Sequence, residues 1–218
     1  MQTDESLAAY YARRAPEFEA VYARPERQPD LRQVTGWLEG LVRGQDVLEV
    51  ACGTGYWTQV MARSARSLVA ADINAEVLAL ARAKAYGQCP VTFLQADAWS
   101  VGDVQGSFTA GVALFWWSHM ARSRTRRFLA ELHRALLPGA LVILADNLPL
   151  AGAATPISRT DAEGNTYQER RLRTGERFEV MKNYPSEADL RAAVPGAATA
   201  LSYTPLSYYW LLSYRRSA

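Results

Sequence analysis

Five short apolar runs alternate with amphipathic stretches between Asp46 and Asp146, and no other feature narrows the fold of this chain as much. DVLEVA (46–51), SLVAAD (67–72), VTFLQAD (91–97), FTAGVALF (108–115) and LVILAD (141–146) have the length and β-branched content of buried strands. Between them, Tyr56 to Ala65, Asn74 to Tyr86 and about Arg124 to Leu137 repeat apolar residues at helical spacing, the last ending in Pro138-Gly139. Such alternation predicts a parallel sheet with helices on both faces. Sheets of this kind take ligands at the carboxyl ends of their strands.

The flanks complete a single domain of 218 residues. Residues 1–44 read as a helical cap in three pieces. Asp4 caps a helix with Leu7, Tyr10 and Tyr11, and Pro16 restarts it with Phe18, Val21 and Tyr22 on one face. Asp30 then caps a helix that runs to Gly44. Residues 45–146 form the core. Residues 147–184 are a polar insertion with a hairpin expected at Thr174-Gly175. Residues 185–218 hold a helix capped by Ser186 and two β-rich runs, ATALSYTPL and SYYWLLSYRR, expected to pair antiparallel at the sheet edge.

Composition removes several classes. No apolar stretch reaches the ~18 residues of a membrane span, and the first residues contain no secretory apolar run. Cys52 and Cys89 read as reduced thiols, which points to the cytoplasm, and two cysteines with two scattered histidines do not make a zinc site, so no metal is expected. A net charge of +2 argues weakly against nucleic acid. The one basic cluster, ARSRTRRF (121–128), reads as solvated surface, as does His133.

Candidate chemistry begins where the first strand turns. Cys52-Gly53-Thr54-Gly55 gives a corner at which backbone can approach a ligand closely. A dinucleotide fingerprint needs a third glycine, and Thr58 stands there. Glu49 beside the corner would oppose a diphosphate but suits an ammonium group. Asp72 and Asp97 end the next two strands, and acids so placed suit ribose hydroxyls and an adenine amino group, with Trp99 over the ring. Asp72 could instead cap the following helix, and Asp97 could be a turn residue.

Taken together, E-V-A-C-G-T-G, A-A-D-I-N, Q-A-D-A-W and R-A-L-L-P-G-A-L-V-I-L-A-D resemble, in order, motifs of the class I S-adenosylmethionine (SAM)-dependent methyltransferases. The resemblance covers the middle half of the chain. It implies an α/β, doubly wound, seven-stranded, mostly parallel sheet with an antiparallel last strand, under an N-terminal helical lid. It implies SAM as cofactor, held by Glu49, Ala51, Cys52, Gly53, Thr54, Gly55, Asp72, Ile73, Asp97, Ala98, Trp99 and Phe115. Ala51 and Tyr56 depart from the family, which often has glycine at those positions.

The expected acceptor site lies beyond, around FWWSHM (115–120). Trp116 and Trp117 could wall it, His119 is the candidate general base, and Tyr11 and Tyr22 could reach it from the lid. Tyr167, with Arg170 and Lys182, could close it from the insertion. Methyl transfer is an in-line displacement that needs no strong base, since positioning and exclusion of water supply much of the rate. The reading is therefore methyl transfer to the N or O atom of a small, aromatic or heterocyclic acceptor, and a homodimer is compatible with it. Its alternatives are a protein or RNA methyltransferase, an NAD-dependent oxidoreductase and a non-catalytic SAM-binding protein.

Overall fold

The structure is a computed structural model that describes residues 2–149 and 155–217. Part of the predicted 147–184 insertion, residues 150–154, lies outside the described residues.

In chain order the elements are α1 (Gln2–Arg14), α2 (Gln28–Leu41), β1 (Asp46–Val50), α3 (Tyr56–Met61), β2 (Ser67–Asp72), α4 (Ala75–Arg82), β3 (Val91–Gln95) and β4 (Phe108–Leu114). They continue with α5 (Thr125–Ala135), β5 (Leu136–Asn147), β6 (Arg159–Thr160), β7 (Thr166–Arg171), β8 (Arg177–Met181), α6 (Glu187–Ala193), β9 (Thr199–Pro205) and β10 (Tyr209–Arg215).

A seven-stranded sheet has the order β3-β2-β1-β4-β5-β10-β9. β1 to β5 run parallel, and β10 enters between β5 and β9, antiparallel to both. Strands in the middle read as unbroken apolar runs because both faces are covered. Leu48, Val142, Leu144 and Leu212 pack under Phe128 and Leu132 of α5, together with Trp210. Their chain neighbours Val47, Ile143 and Leu211 face the other way, onto Leu38, Trp57 and Met61. One step along a strand changes the layer.

The front of the chain departs from three regular helices. Ala15–Ala23 is a 3₁₀ segment begun by Pro16 rather than an α-helix. Asp4 lies inside α1, and Asp30 inside α2, so neither caps as expected. Asp30 is buried and accepts from the Tyr208 backbone N–H at 2.6 Å, tying the cap to the turn before β10. The C-terminal expectations hold. Ser186 and Asp189 form a reciprocal capping box on α6, and the Leu172–Glu176 turn joins β7 to β8 with Gly175 at φ 95°.

β6, β7 and β8 form a separate antiparallel sheet against which α1 packs through Leu7, Tyr10, Leu172 and Val180. Ion pairs Arg13–Glu176 and Arg173–Glu17 (3.1 Å) fasten the two. Glu19 then links the 3₁₀ segment to the glycine corner through the Thr54 hydroxyl (2.5 Å) and to Lys84. The lid is thus pinned from both sides over the carboxyl ends of the strands.

Candidate active site

Beneath the lid lies a cavity of about 490 Å³. Its floor comes from the ends of β1 to β5, and its roof from α1, the 3₁₀ segment and β7–β8.

The corner after β1 is built on left-handed backbone. Ala51, Gly53 and Gly55 have φ of 56°, 57° and 79°. At Gly55 a Cβ would meet the Tyr86 hydroxyl at 2.6 Å and the Ala81 Cβ at 3.0 Å, so this residue serves close packing of the turn on α4. It does not border the cavity. Gly53 does border it, and a Cβ there would project into open space. Ala51 stands in the left-handed region without being glycine, at a cost of roughly 1–2 kcal/mol. Ala51→Gly should therefore raise the thermal unfolding midpoint slightly, glycine's chain entropy of about 0.5–1 kcal/mol cancelling part of the gain. A lowered midpoint in a melting curve would show that the alanine methyl carries packing instead.

Around this corner sit the three acids. Asp72 is buried and accepts from the Gly53 N–H and the Asn74 N–H, both at 2.9 Å. Burial pushes its carboxyl up. It thus holds the corner and starts α4 with the same group that faces the cavity. Glu49 accepts from the Thr58 hydroxyl at 2.6 Å. Burial, against that bond and with Asp72 nearby, raises its pKa to about 8. In the unliganded protein at neutral pH it is mainly protonated, and a cation bound beside it would ionise it. Asp97 is exposed and accepts from the Trp99 N–H at 2.9 Å, capping the turn that carries Trp99. Cys52, Thr54, Ile73, Ala98, Trp99 and Phe115 border the same half of the cavity. Phe115 has φ 60°; its N–H donates to the Ala145 carbonyl at 2.7 Å and its ring stacks on Trp57 at a separation of 5.8 Å.

The expected acceptor residues divide. Tyr11, Tyr22, Trp116 and His119 border the cavity. Trp117 does not. It is buried against the edge of Trp210 at 6.2 Å, in the core under the sheet. Tyr167 also misses the cavity: its hydroxyl donates to Asp161 at 3.0 Å and Arg159 covers its ring at 3.7 Å, on the far side of β7. His133 is not free surface either, since its Nε2 meets the Tyr214 hydroxyl at 2.7 Å.

His119 is placed where a base would be, but both ring nitrogens are engaged. Nδ1 lies 2.8 Å from the Met181 carbonyl, which can only accept, so Nδ1 carries the proton. Nε2 then accepts from the Tyr11 hydroxyl at 2.8 Å. Burial and the nearby Lys182 ammonium hold its pKa down at about 3. Behind it lies a buried ionic group. Asp146, at the end of β5, accepts from the Ser118 N–H and hydroxyl (2.8 and 3.0 Å) and from Lys182 (3.2 Å). Burial would push this carboxyl up, yet the Lys182 ammonium and the Ser118 and Asn147 backbone N–H groups hold it below the usual range.

Sequence reasoning missed Arg27, Asn147, Tyr184 and Tyr209, which also border the cavity. Arg27 and Tyr209 meet only because the lid folds over β10.

A corner of left-handed backbone beside Glu49, with acids at the ends of β2 and β3, agrees with the comparisons to known proteins. The methyltransferase domain family matches over residues 47–139. Over 99% of its length the chain is 27% identical to DhpI in a complex with SAH, the demethylated form of SAM, covering 97% of that chain with a TM-score of 0.78. The chain therefore resembles the SAM-dependent methyltransferases, through the domain match across its sheet core and the likeness to DhpI over its whole length. Its seven-stranded sheet is that of the methyltransferase fold. A second DhpI complex, with SAM and HEP, is 26% identical over 98% of this chain and 97% of that one, with a TM-score of 0.76. A demethylmenaquinone methyltransferase of Clavibacter sepedonicus is 31% identical over 105 residues, 48% of this chain. The match spans only 42% of that relative's length.

Proposed function

We propose that the chain transfers the methyl group of SAM to the N or O atom of a small-molecule acceptor by in-line displacement at the sulfonium carbon. The observation that carries this reading is a single roofed cavity. It runs from the acids of β1 to β3 to a second half covered by the lid and β7–β8, so donor and acceptor share one space beneath the lid. A protein or RNA acceptor calls for an open groove. The DhpI complex that pairs SAM with HEP supports the same arrangement.

In this reading Glu49 holds the ammonium of the methionine tail and the backbone around Ala51 and Gly53 meets its carboxylate. Asp72 takes the ribose hydroxyls; Ile73, Asp97, Ala98 and Trp99 hold adenine. Phe115, Trp116, Tyr11 and Tyr22 exclude water around the sulfonium, and aromatic faces favour its positive charge. With Cys52 and Cys89 both free, the protein acts in the cytoplasm.

The test is incubation with SAM labelled in its methyl group, separately with a small-molecule extract, total RNA and a protein extract. Label is expected in the small-molecule fraction. Label retained on protein or RNA would overturn the reading.

A further inference from the structure

The acceptor half of the cavity is cationic and supplies no free base. Its acids, Glu49, Asp72 and Asp97, all stand at the ends of β1 to β3, in the cofactor half. The opposite walls carry Arg14, Arg24, Arg27, Arg170 and Lys182. Among the described residues only Lys182 of these five pairs with a carboxylate. Arg170 donates to the Thr155 hydroxyl at 2.9 Å and to the Gln168 side-chain oxygen. Arg14 donates to the Tyr10 hydroxyl at 2.8 Å and lies over the Phe18 ring. Arg27 lies over the rings of Tyr208 and Tyr209 at 5.4 and 5.8 Å, and its Nε is buried with no hydrogen-bond partner. Arg27 and Arg170 both act on the Lys182 ammonium and the Tyr184 hydroxyl, so their charge converges on one region.

Partly desolvated guanidinium groups met only by neutral partners are costly unless an anion completes them. An anion there would also explain the missing base. With Nδ1 of His119 donating to Met181 and Nε2 taken by Tyr11, no imidazole nitrogen is open to an acceptor proton. The nucleophile must arrive without a proton to lose.

We propose that the acceptor is a small organic oxyacid, carboxylic or phosphorus-based, anchored by Arg27 and Arg170, and that its own anionic oxygen takes the methyl group. This rests on the methyl-transfer reading above. An oxygen lone pair forms the new C–O bond while the S–CH₃ bond breaks and its electron pair returns to sulfur. Sulfonium and oxyanion are neutralised together, no proton moves, and the products are a methyl ester and SAH. The ester has one negative charge fewer than the acid, so its hold on the arginines weakens and release follows. Tyr11 is a positioning residue in this scheme, its hydroxyl fixed by His119.

The test uses the full chain with SAM and a panel of carboxylates, organic phosphates and organic phosphonates, each beside its neutral amide or ester. SAH binding is measured first by calorimetry. Without it the methyl-transfer reading itself fails. With it, the expected product gains one methyl and loses one negative charge by mass spectrometry and electrophoresis, and the panel shows which oxyacid is preferred. Arg170→Gln and Arg27→Gln should each raise KM for the acid about 10- to 100-fold with SAH affinity unchanged. His119→Gln should lower kcat less than about tenfold, where loss of a base costs about 100-fold or more. Methylation of neutral amines or phenols, or SAH binding with every acid inert, would overturn the proposal.

Discussion

Asp146→Ala should destabilise the protein by about 3–5 kcal/mol, the cost of stranding one member of a buried ion pair. Asp146 is fully buried, and Lys182 beside it is 6% exposed. Removing the carboxylate leaves the ammonium without its counter-charge and leaves the Ser118 N–H and hydroxyl without their acceptor. For a chain of this size the loss corresponds to a fall of roughly 6–20 °C in the melting midpoint. Asp146→Ala combined with Lys182→Met should recover much of it, because no charge is then buried alone. A single variant that melts within 2 °C of the wild type, by circular dichroism (roughly 0.5–1 kcal/mol), would show that the pair holds nothing together. The element at stake matters for function: Ser118 sits between the β4 strand end and His119, so the same ionic group fixes the acceptor wall.

The second large effect is on cofactor affinity. Glu49→Gln should weaken SAM binding by about 1–3 kcal/mol, the range for a hydrogen bond to a charged group, and Asp72→Ala by a similar amount. Glu49→Gln separates binding from folding. Because burial holds the Glu49 carboxyl protonated up to about pH 8, glutamine replaces a group that is already neutral in the free protein at pH 7. Its stability should therefore match the wild type below about pH 4.5, where the carboxyl is protonated in the folded and the unfolded chain alike, and exceed it at pH 7, where only the unfolded wild type ionises. The sign follows from linkage. A carboxyl raised from its ordinary range to about 8 contributes stability that is fully present below about pH 4.5 and is lost as pH rises through 8. The wild type should lose stability across that window more steeply than Glu49→Gln. Equal slopes in urea melts from pH 5 to 8.5, with equal SAM affinity, would remove Glu49 from the site.

Much of the sheet could be read before any coordinates. β1, β2, β4 and β5 are packed on both faces or nearly so, and such strands announce themselves as continuous apolar runs. The ordered acids were legible for a related reason: each follows an apolar strand, where a carboxylate stands out from its neighbours whether it caps a turn, as Asp97 does, or faces the cavity as well, as Asp72 does. Adjacent residues after a strand were not. Nothing local decides which of Trp116 and Trp117 turns to the cavity; Trp210, far along the chain, decides by offering Trp117 an edge-on partner. Tyr167 failed for another reason. Its face is set by the pairing of β7 with β6 and β8, where Tyr167 stands opposite Arg159 and Met181. Arg27 gave no local signal at all, since its place in the cavity depends on the lid meeting Tyr209. Asp30 looked like a cap because caps are local, whereas its partner, the Tyr208 N–H, is 178 residues away. Where a residue's role is set by a neighbour distant in sequence, the spacing of residues around it carries no trace of that neighbour.

Calorimetric titration with SAH at pH 7, in two buffers of different ionisation heat and alongside NAD, tests the central claim most directly. The ammonium of the methionine tail, placed beside Glu49, should bring its carboxyl down from about 8 and ionise it. SAH should bind one-to-one and release a proton into the buffer, the proton release should vanish in Glu49→Gln, and NAD should give no heat. Binding of NAD, or SAH binding with no proton released by the wild type, would contradict the placement of the amino-acid tail at Glu49.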